Sequence, residues 1–431
     1  MTPILIPIKA NGAFYLKNRR YVNVGVCLRR YPASVDLHIR LVVGWPKQLR
    51  RETTVKIVDV RTQQFNFKSS VVNDSEGHTH PGPEHDATQT LLTIVTDEGA
   101  EGYAFGASPA VVEGVVKPAL LGEDPMYREK LWQLLRTWQR SHREFTDRQL
   151  GSVDLALWDL AGRYLGQPVY KLLGGFRDKV LAYASTMCGD EMPGGLSTPE
   201  EYGAFADWCM KQGYKAFKLH TWMPPIEWAP DPRMDVKACA AVREAVGDDI
   251  PLMLDCYHDY SREQSLYIGR ELEKLNYRWF EEPMDEHSTS SYVWLAEQLD
   301  IAVIGPESAE GKIQTRAEWI VRGASDISRS GVGDVGGITP VMKIAHLAEA
   351  FGVAMEVHGG GPGNLDVLGA MGIPGEFYER GLLHPFTDHE AREPWLKTRA
   401  DDLDDEGYVH LPQAPGLAQH IDFEYIEANA I

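Results

Sequence analysis

The sequence predicts an α/β protein built around a (β/α)8-type barrel, a modified TIM barrel, with an α+β N-terminal capping domain completed by the C-terminal tail. From about residue 176 onward, eight short apolar runs alternate with segments of helical periodicity, which is typical of a parallel barrel. Residues 54–175 instead combine alternating strand-like runs with helical segments. The turn-rich residues 385–431 are expected to pack back on the first domain.

The predicted domains follow these changes in pattern. We expect a capping domain at 54–175, a barrel carrying the active site at 176–384, and a returning segment at 385–431. Residues 1–53 differ from the rest because ten Lys and Arg accompany only two acids. An Arg-rich, acid-poor leader resembles a transit peptide, but a strain-specific extension or a start codon assigned too early is the favoured interpretation of this atypical basic segment.

The capping domain begins with sequence that is typical of β-strands. Residues 54–65 alternate, and residues 91–106 predict two strands around a turn at Asp97–Gly99. Between them, residues 69–87 are rich in Gly, Pro, Asp and His and have no apolar period, so we predict a mobile lid loop. Its three histidines are interpreted as solvated loop residues, as lid contacts to substrate or as metal ligands; they are His78, His80 and His85.

Composition excludes several classes of function. A net charge of −19 argues against binding to nucleic acid or to anionic membrane surfaces. No apolar run approaches the length of a membrane span. Five cysteines without metal-type spacing fit reduced thiols in a cytoplasm. Proteins with barrels of this kind usually form symmetric oligomers, so a homo-oligomer is expected.

Three acids, Asp255, Glu281 and Glu307, lie at intervals of 26 residues, and each ends an apolar run. The C-terminal tips of barrel strands converge on one face, so these carboxylates are expected to meet there. Carboxylates that lie so close together raise one another's pKa values unless a cation neutralises them. Oxygen ligands suit a hard divalent ion, so we predict one Mg²⁺ per subunit, with Mn²⁺ as the alternative.

The ordered motifs resemble the enolase superfamily, specifically the mandelate racemase/muconate-lactonizing group, from about Thr54 to the C-terminus. The segments that carry the resemblance are VDLALWDLAGRYLGQPVYKLLGG (153–175), GYKAFKLH (213–220), the three spaced acids, GGIT (336–339) and PGLAQHID (415–422). The resemblance implies abstraction of the proton α to a carboxylate, with the resulting enediolate stabilised by Mg²⁺. The substrate is expected to be a small, polyhydroxylated carboxylate.

The resemblance also implies two catalytic residues. Lys218 occupies the family's base position, and proximity to Mg²⁺ together with partial burial is expected to lower its pKa. His358 falls where the family places a second acid/base, across the pocket. The aspartate that would orient this histidine is replaced by Gly331. Asp334 in the following loop is an alternative partner that the sequence alone does not establish.

Further side chains are expected to bind substrate or to support the metal ligands. His220 replaces the second lysine of the family's Lys-x-Lys pair, and Tyr257 follows the first acid. Glu282 is adjacent to the second acid. Glu379 matches a family glutamate that would have to be protonated to donate a hydrogen bond to substrate, and Glu376 competes with it for that assignment.

Three functions remain open at this stage. The first is Mg²⁺-dependent dehydration of a sugar acid, an aldonate or aldarate, to a 2-keto-3-deoxy acid. The second is a racemase, epimerase or cycloisomerase with the same first step. The third is a barrel that binds Mg²⁺ but has lost catalysis. The presence of both Lys218 and His358 favours an enzyme. The polar residues expected in the pocket, such as His220 and Tyr257, favour a dehydratase of a polyhydroxylated acid.

Overall fold

The structure, a computed structural model, describes residues 55–373 and 375–431. The predicted basic extension at 1–53 lies outside the described residues. Within the described part of the chain, no helix is both long enough and apolar enough to cross a bilayer.

The N-terminal sheet has three antiparallel strands in the order β1-β2-β3. They are β1 (Ile57–Asn73), β2 (Thr79–Thr96) and β3 (Glu101–Phe105). The predicted turn joins β2 to β3, where Gly99 adopts a positive φ of 78° and donates its N–H to the Thr96 carbonyl. Side chains alternate across the sheet, and one face packs into a core that includes Val60, Leu92 and Ala104.

The prediction of an irregular loop at 69–87 is wrong. These residues extend β1 and β2 into a long hairpin, paired through Val71 opposite Pro81 and Asn73 opposite Thr79. A two-stranded ribbon that is largely exposed on both faces has no apolar face, so its sequence carries no period-two signal. Asp74 closes the tip by accepting the backbone N–H of His78 at 3.0 Å.

Helices cover the buried face of this sheet. A short α1 (Pro109–Val111) continues through a π-turn (Val112–Val116) into α2 (Lys117–Leu120), and α3, α4 and α5 follow. The last three span Arg128–Trp138, Asp147–Leu165 and Val169–Leu172. Thr146 caps the start of α4 by accepting the Gln149 N–H, and Gly166 ends it in the left-handed conformation. Helices α3 and α4 confirm that residues 54–175 contain the helical segments expected from the sequence.

Nine strands form the second sheet, and eight of them are parallel and coincide with the eight apolar runs of the sequence. The parallel strands are β4 (Lys179–Thr186), β5 (Ala216–His220), β6 (Leu252–Asp255), β7 (Trp279–Glu281), β8 (Ala302–Ile304), β9 (Ile327–Arg329), β10 (Ala354–Glu356) and β11 (Phe377–Leu383). Strands β4 to β10 pair in sequence order, and β11 pairs with β4. This alternating α/β architecture confirms the predicted fold class.

Seven helices connect the strands, one after each strand from β4 to β10. They are α6 (Pro199–Lys211), α7 (Pro232–Val246), α8 (Arg262–Lys274), α9 (Thr289–Ala296), α10 (Lys312–Arg322), α11 (Ile338–Phe351) and α12 (Pro362–Ala370). Among the described residues, no ladder pairs β10 with β11. The buried Glu356 side chain bridges them instead, accepting the Glu376 N–H at 2.8 Å.

The strand register places the functional face directly above an apolar layer. Inward side chains of seven strands form one buried cluster of Tyr183, Ala216, Met253, Trp279, Ile304, Ile327 and Phe377. Because side chains alternate along a strand, residues two positions further on point the same way at the carboxyl end. Five of these are charged: Lys218, Asp255, Glu281, Arg329 and Glu379. The interior is therefore packed below and polar above.

The C-terminal segment touches both parts of the fold. Strand β12 (Tyr408–His410) pairs antiparallel with the start of β4. Helix α13 (Phe423–Ala428) lies next to the first sheet, where Phe65 and Trp395 share a buried aromatic cluster with Ile426.

Candidate active site

The three evenly spaced acids lie side by side at the carboxyl ends of neighbouring strands. Asp255 ends β6 and pairs in register with Glu281, which ends β7. Glu307 follows β8 after a Gly-Pro pair. Glu281 is fully buried, and burial raises its pKa to about 7 even though Arg329 and Lys218 oppose that shift.

Lys218 links these acids from β5. Its Nζ lies 3.0 Å from Asp255 Oδ2, 3.0 Å from Glu281 Oε1 and 3.0 Å from Glu379 Oε1. Burial disfavours the ammonium, but the carboxylates of Glu281 and Glu379 outweigh it and raise the Lys218 pKa well above its ordinary value. The lowered pKa expected from the sequence refers to a centre that holds Mg²⁺, whereas here only the protein's own carboxylates surround the amine.

His220 lies on the same strand, two residues after Lys218. Its Nδ1 is 2.6 Å from the Thr186 carbonyl, which can only accept, so Nδ1 carries a hydrogen. Its Nε2 lies 2.9 Å from Asp255 Oδ2. Together with Lys218, His220 holds the Asp255 pKa well below its usual range against the effect of burial. His220 therefore orients the first acid of the triad.

His358 has an aspartate partner, although not at the position the family pattern predicts. Its Nδ1 lies 2.9 Å from Asp334 Oδ2, and its Nε2 lies 3.0 Å from Glu307 Oε1. Burial disfavours the imidazolium, but these two acids raise the His358 pKa well above its ordinary value. Asp334 thus fixes the ring orientation that the sequence left undefined.

The backbone explains why position 331 is glycine. A Cβ on Gly331 would lie 2.3 Å from the His358 carbonyl oxygen, so any side chain there would force the two segments apart. The Gly331 N–H instead donates to Asp334 Oδ2 at 2.6 Å. The loop after Gly331 folds back, so the Asp334 carboxylate lies next to both the Gly331 N–H and the His358 ring.

Glu379 from β11 lies in the same cluster, but it is not the protonated donor expected from sequence. Lys218 and Arg329 outweigh burial and hold the Glu379 pKa well below its usual range. The Gly359 N–H also donates to it at 2.7 Å. Its competitor Glu376 is half-exposed and forms an ion pair with Arg278.

Glu282 supports the loop that carries Glu307. It is buried and accepts the Glu307 N–H at 2.5 Å, while Glu286 accepts the same N–H and that of Ser308. Burial, Glu286 and Glu307 raise the Glu282 pKa well above its usual value. With His258, these two glutamates form a cluster of potential metal donors, but backbone amides already donate to both oxygens of Glu286 and to one oxygen of Glu282.

Tyr257 connects the pocket to the hairpin tip. Its ring lies 4.9 Å from that of His220 and 4.6 Å from that of His78, measured between centroids. His78 and His80 both contact Asp74, whereas His85 contacts the Pro83 carbonyl. The three hairpin histidines therefore do not share one ligand site, and His78 is the one that reaches the pocket.

Arg329 is a residue of this site that the sequence did not predict. It is fully buried on β9, and its guanidinium contacts Glu281, Glu307 and Glu379. The only signal for it is strand parity with Ile327, and a three-residue strand makes that signal weak.

These groups surround a cavity of about 400 Å³ at the carboxyl ends of the strands. Nine of its thirteen lining residues carry polar side chains; the lining comprises His220, Asp255, Tyr257, His258, Glu282, Glu307, Ser308, His358, Gly359, Gly360, Glu379, Gly381 and Leu382. Acids on one wall, with a paired histidine beside them, suit proton transfer next to a cation-bound carboxylate.

Comparisons with known proteins agree with this arrangement. Residues 71–174 match the mandelate racemase/muconate lactonizing enzyme N-terminal domain, and residues 201–426 match the enolase C-terminal domain-like family. The chain is 31% identical to arabinonate dehydratase of Saccharolobus solfataricus, covering 85% of this chain and 96% of that protein. It is 29% identical to D-galactarolactone cycloisomerase of Agrobacterium fabrum, covering 85% of this chain and 97% of that protein.

A solved structure is more similar still. D-glucarate dehydratase from Agrobacterium tumefaciens, complexed with magnesium, superposes with a TM-score of 0.85 at 57% identity, covering 87% of this chain and 99% of that one. The chain therefore belongs to the mandelate racemase/muconate lactonizing enzyme group of the enolase superfamily.

Proposed function

We propose that this protein is a Mg²⁺-dependent dehydratase of a sugar acid. The observation that carries the proposal is an acid triad, with Asp255 and Glu281 buried, flanked by Lys218 on β5 and by the His358–Asp334 pair beyond β10. The reaction removes the proton α to the carboxylate and expels the β-hydroxyl as water. The enol that remains tautomerises to a 2-keto-3-deoxy acid.

The residues present fit a magnesium ion. Asp255, Glu281 and Glu307 offer the hard oxygen donors that Mg²⁺ prefers. The fourth carboxylate, Glu379, adds to their negative charge, and two buried cations offset only part of it. When bound, Mg²⁺ would supply Lewis-acid stabilisation of the negative charge that develops on the substrate carboxylate.

We assign proton transfer to His358. Asp334 accepts from its Nδ1, so Nε2 is directed at the cavity wall formed by Glu307 and is the atom that exchanges protons. One group of this kind can remove the α-proton and return a proton to the departing hydroxyl. Such a cycle produces water without a second base.

The contacts and the burial of Lys218 favour a different role for this residue. Held against three carboxylates, its ammonium is positioned to stabilise the substrate carboxylate electrostatically. Racemisation needs a base that reaches the α-carbon from each face, and Lys218 is disfavoured as one of them because it is buried and, unlike His358, does not line the cavity. This geometry supports the dehydratase over the racemase, epimerase or cycloisomerase.

An aldarate is the first substrate class to test. The wall of the cavity carries three histidines, His220, His258 and His358, which suit hydroxyl groups and a second carboxylate. The 57% identity to a D-glucarate dehydratase makes D-glucarate the leading compound. A reducing compartment such as the cytoplasm is part of the proposal, because the described cysteines are buried free thiols.

One incubation separates the candidate functions. The protein is mixed with Mg²⁺ and a library of aldonic and aldaric acids in D₂O, and products are derivatised with semicarbazide and examined by NMR. A 2-keto-3-deoxy product supports dehydration. Deuterium at the α-carbon without loss of water supports racemisation or epimerisation. The corresponding lactones are included in the library, and a product formed only from a lactone supports a cycloisomerase. No reaction across the library, with Mg²⁺ bound, would indicate a silent barrel.

A further inference from the structure

Arg329 ties together acids from three different elements of the barrel. Its Nε lies 2.6 Å from Glu281 Oε1 on β7 and 3.2 Å from Glu307 Oε2 in the loop after β8. Its Nη2 lies 2.8 Å from Glu379 Oε2 on β11. The side chain is completely buried, so these contacts are not shared with bulk water.

Protein donors already occupy the acid oxygens that a metal would use. Glu281 Oε1 faces both Lys218 and Arg329, and Glu281 Oε2 accepts from Trp279 Nε1 at 2.8 Å. Both oxygens of Glu307 are also engaged, by Arg329 and by the His358 ring. A cation that binds here must therefore compete directly with the guanidinium.

We propose that Arg329 is a positioning residue of the metal centre, holding Glu281, Glu307 and Glu379 together without the ion and limiting how tightly the ion binds. The inference rests on the proposed Mg²⁺ chemistry and adds a residue to it. In formal charges, four carboxylates and the two cations Lys218 and Arg329 leave −2, which one divalent ion cancels.

The physical argument is the cost of uncompensated buried charge. Removing Arg329 would leave the cluster at −3, and unpaired buried carboxylates destabilise a fold strongly. The same loss removes a positive charge that repels the incoming ion at short range. The protein without metal should therefore become less stable, while its affinity for Mg²⁺ should rise.

The test compares Mg²⁺ binding without substrate in Arg329→Met, Arg329→Lys and wild type. Titration calorimetry should give Arg329→Met a Kd for Mg²⁺ at least tenfold lower than that of wild type. Its melting temperature without metal should fall, and its stabilisation by Mg²⁺ should exceed that of wild type. Arg329→Lys keeps the charge, so its Kd should stay within about threefold of wild type.

Arg243→Met is the matched control. Arg243 is also a buried arginine, but it donates only to main-chain carbonyls, those of Leu275, Gly247, Ile250 and Asn276. Its loss should lower the melting temperature equally with and without Mg²⁺ and leave the Kd unchanged.

The outcomes are distinguishable. Recovery of folded Arg329→Met only in the presence of Mg²⁺ would support the proposal, and chelator competition would then give its Kd. Unchanged or weaker Mg²⁺ binding by Arg329→Met, or equal Kd values for the Met and Lys variants, would overturn it. Wild-type protein that binds no Mg²⁺ would instead refute the metal assignment and, with it, the proposed function.

Discussion

At the residue scale, the proton-transfer pair depends on a carboxylate that comes from an unexpected position. Position 331 cannot carry a side chain because the His358 carbonyl lies too close, and Asp334 reaches the same imidazole from three residues further on. The chemistry of an oriented histidine is thus retained although the expected aspartate is missing. What matters is where the carboxylate oxygen lies, and that depends on loop geometry.

Replacing Asp334 by alanine should lower kcat about 100-fold or more, because His358 loses its hydrogen-bond partner and its defined orientation. KM should change less than threefold, since Asp334 is absent from the cavity lining. Asp334→Asn can still accept from Nδ1 through its carbonyl oxygen and should retain more activity than alanine. Steady-state kinetics with the substrate found in the library screen provide the measurement.

Two further variants test the geometric reading. Restoring aspartate at the expected position, in Gly331→Asp/Asp334→Gly, should not rescue activity because of the clash with the His358 backbone. Asp326→Asn is the control: Asp326 lies at the opposite end of β9 and accepts the Val303 N–H. Rescue by the double variant, or an equal loss in Asp326→Asn, would show that Asp334 does not act through His358.

Glu281→Gln should abolish turnover and weaken Mg²⁺ binding, because the amide removes the charge from the most buried acid of the triad. Glu376→Gln provides the comparison, since Glu376 forms an ion pair with Arg278 and contacts none of the triad. Turnover and calorimetric Mg²⁺ titration are measured on both. Unchanged activity in Glu281→Gln would remove this residue from the metal site.

At the element scale, the hairpin formed by β1 and β2 joins the first sheet to the cavity. It was predicted as an irregular loop because its exposed ribbon shows no apolar alternation, yet its tip is ordered by Asp74 and places His78 against Tyr257. Since Tyr257 lines the cavity and its ring lies near that of His220, we propose that the tip acts as a lid over a bound substrate.

His78→Ala should raise KM roughly two- to tenfold, since an aromatic pair contributes about 0.5–1.5 kcal/mol. Without its neighbour, Tyr257 would order the cavity wall less well, while the proton-transfer pair would be untouched, so kcat should change less than KM. His85→Ala is the matched control, because His85 is exposed and contacts only the Pro83 carbonyl. Equal effects of the two variants would argue against a lid contact.

At the scale of the whole molecule, the sequence predicted what depends on regular periodicity. The 26-residue spacing of Asp255, Glu281 and Glu307 locates strand ends, because each strand–helix unit returns the chain to the same face. Arg329 was not predicted, because the sequence of a three-residue strand does not show which of its side chains point into the barrel. The charged neighbours of Lys218 and Glu379 could not be predicted from the sequence, because they come from distant strands that strand assignment alone does not bring together.

The first domain and the barrel are also joined by a buried acid whose ionisation should make stability depend on pH. Asp366, on α12, accepts the Tyr170 N–H at the start of α5 at 2.9 Å. Burial raises the Asp366 pKa to about 8. The native state therefore holds a proton that the unfolded chain releases near its ordinary value, so stability contributed by the neutral form is lost as pH rises toward 8.

Asp366→Asn keeps an acceptor for the Tyr170 N–H but cannot ionise. Relative to wild type, its free energy of unfolding in urea should increase by about 2–3 kcal/mol between pH 5.5 and pH 8.5. Asp404→Asn is the control, because hydrogen bonding from the Tyr408 N–H lowers the Asp404 pKa to about 2, outside this range. Its difference from wild type should stay constant with pH. A flat profile for Asp366→Asn would mean that Asp366 is ionised in the native protein and that another group supplies its countercharge.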